Sequence, residues 1–451
     1  MRLRLIATVV VLALLALPPA ARATDGYFSL GFGMKAKGMG GASTALAQDG
    51  FGGANNPATM AFVGNRFDIG VDVFMPHRSA SRTGGAAFGL DGSAESGSTQ
   101  FLVPEIGLNH MLGPNLALGV SVYGNGGMNT DYPGGQLPSP GACGPGTPPS
   151  GFNPQSGPYN LLCGNGALGV NMSQAMVAPT LAWQFAPGQA IGIAPVFAYQ
   201  TFEIVGLQAF AGLSTSPSDL TNNGFDTSTG WGARLGYYGT FGEKFSLGAT
   251  YATKVGMSKF TKYQGLFAEG GKFDIPENWS VGIAFKPTPQ WVIAADYEEI
   301  YYSKVPSVGN PSSLILNCAG GDPTACLGGS HGAGFGWQDV TVWKLGVQVA
   351  LDEAWTVRFG YNRSDNPILP QDVTINILAP GVVQNHFTAG ATWSLDPHNE
   401  LTTAVSYVQN NSVTGASLFN SFLGAYGVTA NMSETIQMKQ YSVGFAYAHK
   451  F

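Results

Sequence analysis

From Arg66 to the last residue, apolar side chains recur at every second position in about fourteen short runs. That period belongs to a β-strand with one greasy face, because successive side chains point to opposite sides of a sheet. In the first run Phe67, Ile69, Val71, Val73 and Met75 share one face, and Asp68, Gly70, Asp72 and Phe74 share the other. The runs lie near 66–79, 98–110, 115–126, 168–186, 189–203, 229–242, 244–258, 276–287, 289–303, 338–351, 353–364, 383–395, 398–411 and 437–451.

The connectors alternate between two lengths. Leu112-Gly113-Pro114-Asn115, Ala186-Pro187-Gly188, Gly242-Glu243, Pro287-Thr288-Pro289, Asp352-Glu353 and Asp396-Pro397-His398-Asn399 read as tight turns. Between them lie long connectors near 80–97, 127–167, 204–228, 259–275, 304–337, 365–382 and 412–436. An even strand count with strict short-long alternation is the pattern of a transmembrane β-barrel, with short turns in the periplasm and long loops outside. A soluble sandwich or propeller also gives many short strands but demands no such alternation.

The first residues agree with export. Arg2 and Arg4 form a basic start, 5–17 an apolar core, and Ala21-Arg22-Ala23 a small-residue cleavage site, so 1–23 reads as a signal peptide. Removing it takes 21 basic residues down to 18 against 27 acidic ones, a net charge of about −9 that disfavours nucleic acid as a partner. Charged residues make up 11% of the chain, where a soluble domain carries about 25%. Past the leader no apolar run reaches the ~20 residues a spanning helix needs. The reading is therefore all-β: a signal peptide (1–23), a non-strand preface (24–65) and a barrel (66–451).

The preface is the part unlike the rest. Residues 31–62 are small and Gly-rich, carry Asp49, and end in Asn55-Asn56-Pro57-Ala58 just ahead of the first strand. With the leader and the strands that follow, this stretch resembles the N-terminal hatch of the FadL/TodX family of outer-membrane transporters for hydrophobic compounds. The resemblance implies a monomeric barrel in the bacterial outer membrane, plugged by the hatch. Ligand is caught at the outer loops, passed to a lumen site as the hatch moves, and released sideways beside an inward kink of the third strand. Tyr123-Gly124-Asn125-Gly126 is the candidate kink, since Gly within a strand favours bulges. Asn55, Asn56, Pro57 and Ala58 read better as setting the bend into the first strand than as a binding site.

Long-chain fatty acid is the leading ligand, with aromatic or other uncharged hydrocarbons, or general diffusion through a porin, as alternatives. Strand parity puts Arg234, Lys254, Lys344, Arg358, Asp68, Asp72, Asp296 and Glu298 on the inner face. Arg234, Lys344 and Arg358 together are candidates to hold a carboxylate head; the competing expectation is that these charges pair with one another and with Asp49, Lys35 and Lys37 to seat the hatch. Leu161, Leu162, Leu207, Phe210, Leu213, Leu314, Ile315 and Leu316 are candidates for an apolar groove in the long connectors. Cys143 with Cys163 and Cys318 with Cys326 each fall within one connector and read as two local disulfides.

The last strand places Tyr441, Val443, Phe445, Tyr447 and Phe451 on one face. A terminal Phe451 resembles the signal read by the barrel-assembly machinery, the expected partner besides outer-membrane lipid with its lipopolysaccharide. No cofactor or metal site is expected, and no Ser/His/Asp arrangement can be built around His386, His398 or His449. The chain reads as a channel rather than an enzyme.

Overall fold

In lipid, each backbone N–H and C=O must find its partner within the protein, which leaves a sheet closed on itself as the one architecture open to strands. The computed structural model describes residues 25–138, 143 and 157–451, so the expected leader lies outside the described residues. Fourteen antiparallel strands form the wall: β1 (Arg66–Thr83), β2 (Phe101–Gly113), β3 (Leu116–Tyr132), β4 (Leu168–Ala186), β5 (Gln189–Val205), β6 (Asp226–Phe241) and β7 (Phe245–Ala252). They continue as β8 (Asn278–Phe285), β9 (Trp291–Ile300), β10 (Val340–Ala350), β11 (Trp355–Ser364), β12 (Asn385–Ser394), β13 (Asn399–Ala416) and β14 (Ser433–Lys450). Each pairs with its sequence neighbours, and β1 pairs with β14 from Arg66 opposite Lys450 to Thr83 opposite Ser433, closing the barrel. Two short strands, Gly92–Glu95 against β1 and Gly256–Met257 against β6, lie off the wall.

Side chains sort by parity. Ile69, Phe197, Leu345, Phe359 and Phe445 face outward and exposed, while Asp68, Asp72, Glu105, Asn109 and Lys344 are buried inside. Aromatic pairs sit near the strand ends: Trp355 on Trp393 with ring centroids 5.7 Å apart, and Tyr297 on Trp343 at 4.8 Å. Rings at these depths suit the interface between hydrocarbon and water.

Six short connectors and seven long ones alternate as the sequence pattern expects. The strands differ from that pattern at their long-loop ends. β3 runs on to Tyr132 where the alternation stopped at Gly126, β13 continues past a bulge near Asn411 to Ala416, and β14 starts at Ser433 rather than residue 437. Beyond the lipid both faces of a strand meet water or loops, so the ladder continues after the apolar alternation has ended. The run near 244–258 divides instead: β7 ends at Ala252, and Lys254, expected inside the lumen, sits in the connector with its ammonium 3.1 Å from Asp274.

The long connectors pack over the mouth in an apolar cluster that includes Phe202, Phe260, Phe267, Tyr302 and Trp337. Both disulfides lie in these connectors, Cys143–Cys163 and Cys318–Cys326.

Outward residues must remain apolar at mid-membrane. Leu345→Arg, at a position 53% exposed on β10, is expected to lower the folding free energy in lipid by about 2–4 kcal/mol. Urea titration in vesicles checks this; an unchanged midpoint would place Leu345 away from hydrocarbon.

Candidate lumen site and lateral gap

Residues 25–65 turn back into the barrel and bond to the wall on many sides. The short helix α1 (Met34–Gly38) supplies two lysines: Lys35 reaches Glu400 on β13 at 2.5 Å, and Lys37 reaches Asp72 on β1 at 3.1 Å and Glu105 on β2 at 3.4 Å. Arg66 joins the first group, bonding Asp68 at 2.6 Å and Glu400 at 2.8 Å, with Lys450 on the other Glu400 oxygen at 2.8 Å. Asp296 on β9 accepts the backbone N–H groups of Ser43 and Thr44, each at 2.8 Å. Gly40 N–H donates to Thr388 on β12, Ser246 on β7 donates to the Ala45 carbonyl, and Ser121 on β3 donates to the Gly50 carbonyl.

The Asn56-Pro57 junction works as a cap and a bracket. Asn56 Oδ1 accepts from Ala58 N–H at the start of the 3-10 turn Pro57–Phe62, while its Nδ2 donates to the carbonyls of Thr44 at 2.7 Å and Tyr237 on β6 at 2.8 Å. Asn55 clasps the backbone of Phe32 from both sides, at 2.8 and 3.3 Å. Asp49 caps the Phe51 N–H at 3.2 Å; burial, and then the nearby Asp68 carboxylate, push its carboxyl above the ordinary range. At Gly248 on β7 the Thr44 carbonyl comes so close that a Cβ would sit 1.9 Å from its oxygen.

The wall has a seam between β2 and β3. β3 pairs with β4 up to Tyr132, yet its pairing with β2 ends at Val122 opposite Ile106, leaving residues 101–105 of β2 without a β3 partner. The register of β3 against β4 slips between Gly124 and Gly126, a bulge at Asn125. The lumenal chain meets this bulge: Phe28 bridges to Gly126, and Ser29 N–H donates to the Asn125 carbonyl at 2.9 Å. A Cβ at Gly126 would fall 1.8 Å from the Tyr27 carbonyl oxygen. Tyr123 is buried against Phe32, ring centroids 4.4 Å apart.

Below the bulge, a cavity of about 20 Å³ is lined by Phe28, Tyr123, Asn125, Met176, Val196 and Arg234, among others. Arg234 donates to the Asn55 carbonyl at 3.4 Å, and among the described residues no carboxylate pairs with it. Its Nε is shielded from solvent with no bond.

The three cations expected to act together do not converge. Lys344 pairs with Glu298 at 2.6 Å and donates to the Leu30 carbonyl, so it seats the lumenal chain. Arg358 donates to Gln348 at 2.9 Å and Thr392 at 2.7 Å. Arg234 alone reaches a cavity with an apolar lining.

Higher up, a second crevice of about 40 Å³ lies among the long connectors, lined by Phe202, Leu207, Phe210, Phe267, Phe335 and Leu378 with Ser307 as its one hydroxyl. Leu207 and Phe210 line this crevice. Leu161 and Leu162 are buried in the loop core, and Leu314 and Leu316 pack against that core around Ile315, away from the crevice. Phe451 stands exposed at the short-turn end, its N–H bonded to the Asn65 carbonyl.

The family described as outer membrane protein transport protein (OMPP1/FadL/TodX) matches residues 158–451. The fold is similar to the toluene transporter TodX of Pseudomonas putida, at 16% identity over 93% of this chain and 99% of that one with a TM-score of 0.63. It is also similar to a FadL homologue of Pseudomonas aeruginosa (14%, 94% and 100%, TM-score 0.65) and to the toluene transporter TbuX of Ralstonia pickettii (16%, 93% and 98%, TM-score 0.60). No curated protein matches the sequence.

Two outcomes test this seating. Gly248→Val is expected to displace the Thr44 carbonyl and raise ion conductance in planar bilayers with the barrel's circular dichroism retained; unchanged conductance would mean the segment is not what blocks the lumen. Asp25, its carboxylate 3.3 Å from Asn362 Nδ2, is pushed up to about 7 by burial. A raised carboxyl pKa means the folded state holds its proton more tightly, so this contribution to stability is present at low pH and fades as pH rises through about 7. Melting midpoints are expected to fall as pH rises from about 4 to about 7 and to level off above that, and Asp25→Asn to flatten that fall.

Proposed function

This chain belongs to the OMPP1/FadL/TodX family of outer-membrane transport proteins, and from that premise we propose that it is a passive uptake channel for hydrophobic compounds, with long-chain fatty acids as its leading ligand. The observation behind the ligand class is Arg234, a guanidinium without a carboxylate partner at a cavity otherwise lined mainly by apolar and aromatic groups. Such a group suits a carboxylate head, since the planar fork offers paired donors.

Transfer needs no energy source. Each methylene taken out of water gains roughly 0.8 kcal/mol, so a succession of apolar surfaces draws an acyl chain inward. The loop crevice with Phe202, Phe210, Phe267 and Phe335 is the entry surface, and the Arg234 cavity the inner one. At about 20 Å³ that inner cavity holds little more than a water molecule. Occupation by an acyl chain therefore requires Phe28 and its neighbours to move, which is the hatch motion. Those residues also bond the Asn125 bulge, so the same motion uncovers the seam between β2 and β3, where the ligand leaves sideways into the bilayer.

A second reading, uptake of uncharged aromatic hydrocarbons by the same route, is favoured by the aromatic crevice with its single hydroxyl. TodX and TbuX, which share the fold, are described as toluene transporters. A general diffusion porin fits less well, because a bonded segment crosses the lumen.

Arg234→Gln is expected to weaken binding of a long-chain fatty acid about tenfold while leaving its methyl ester nearly unchanged. Calorimetry in detergent measures both. Equal losses for acid and ester would move the balance to the uncharged-hydrocarbon reading.

A further inference from the structure

Besides Arg234, and Arg358 with its neutral partners Gln348 and Thr392, the inner wall carries another cation without a carboxylate partner. Arg78 points inward from β1 in the long-loop half of the barrel and is only 5% exposed. Its nearest bond is from Nη1 to the Ser98 carbonyl at 3.4 Å, and its Nη2 is buried without a partner. Arg82, four residues further along the same face, shows the ordinary solution: it bonds Glu434 at 2.6 Å, donates to the Leu161 carbonyl at 2.7 Å and lies over the Phe419 ring at 4.3 Å. Lys35, Lys37, Arg66 and Lys344 likewise each have a carboxylate. No described carboxylate pairs with Arg78, and the stretches outside the described residues contain no Asp or Glu.

An uncompensated buried charge is destabilising, and two polar groups near Arg78 are unbonded too. Tyr132 on β3, fully buried, interacts with Arg78 electrostatically, and its hydroxyl has no partner among the described residues. On β14, Met438 is the register partner of Arg78, and the next inward residue, Gln440, is 1% exposed with both amide atoms unbonded. A guanidinium, a phenol and a carboxamide thus meet the inner wall just above the β2–β3 seam with hydrogen-bonding capacity unused. Three such donors fit an anion with two acceptor oxygens.

We propose that Arg78, with Tyr132 and Gln440, forms a second carboxylate-holding subsite, an intermediate station for the head of an amphiphile between the loop crevice and Arg234. This rests on the uptake reading and adds to it a residue on a different strand and at a different height. The station holds the head while the tail enters the apolar surfaces below.

The test compares oleate with methyl oleate on the full-length protein in detergent, by calorimetry, for wild type, Arg78→Gln, Arg78→Lys, Tyr132→Phe and Arg78→Met. Arg78→Gln is expected to weaken oleate about tenfold and methyl oleate less than twofold; Arg78→Lys recovers part of the loss, and Tyr132→Phe takes a smaller one. Arg78→Met, similar in bulk without charge, is expected to melt no lower than wild type. If Arg78→Gln keeps the whole acid-over-ester difference, or if Arg78→Met melts well below wild type, Arg78 is a structural residue and the subsite falls while the uptake reading stands. If neither lipid binds wild type, the fatty-acid reading falls and takes the subsite with it.

Discussion

The structure depends on closing backbone hydrogen bonds where no water can serve as partner. A barrel meets that constraint everywhere except where a strand loses its neighbour, and β3 loses β2 after Val122. There the lumenal chain supplies what the wall omits: Phe28 bridges Gly126, and Ser29 donates to Asn125. The segment that fills the lumen and the seam in the wall are therefore one arrangement.

Charge in the lumen is distributed by the same logic. Asp72, Glu105, Asp296, Glu298 and Glu400 receive lysines, arginines or backbone N–H groups, most of them from or beside the lumenal chain. Buried pairs of this kind contribute little net stability compared with apolar packing, but removing one partner leaves an exposed cost. They fix where the segment sits more than how strongly it is held. Arg78, Arg234 and Arg358 receive no carboxylate among the described residues; their bonds go to the Ser98 and Asn55 carbonyls and to Gln348 and Thr392.

The architecture was legible in the sequence because a lipid face forces strict alternation, and because turn chemistry marks where it breaks. Strand ends at the long loops were not legible: between Gly126 and Tyr132 no face meets lipid, and the pairing that continues there leaves no hydrophobic pattern. Parity also assigns a face but neither a height nor a partner. Arg234, Lys344 and Arg358 share the inner face, yet Glu298 claims Lys344 and neutral side chains claim Arg358. Arg78 stood in the first strand on the same face as Asp68 and Asp72, beyond the run's apolar residues. Only the positions of Glu434 and Arg82 show that its neighbour's counter-ion is already taken.

Each disulfide closes on its own connector, 20 residues apart in one case and 8 in the other. Neither staples one loop to another. The cover over the mouth is thus an assembly of separate pieces held together by apolar contact and by hydrogen bonds between connectors, such as Ser312 to Asp372 and Trp337 to Asn376. Pieces of that sort can part and rejoin without breaking a covalent bond, because the contacts that join one to another are noncovalent.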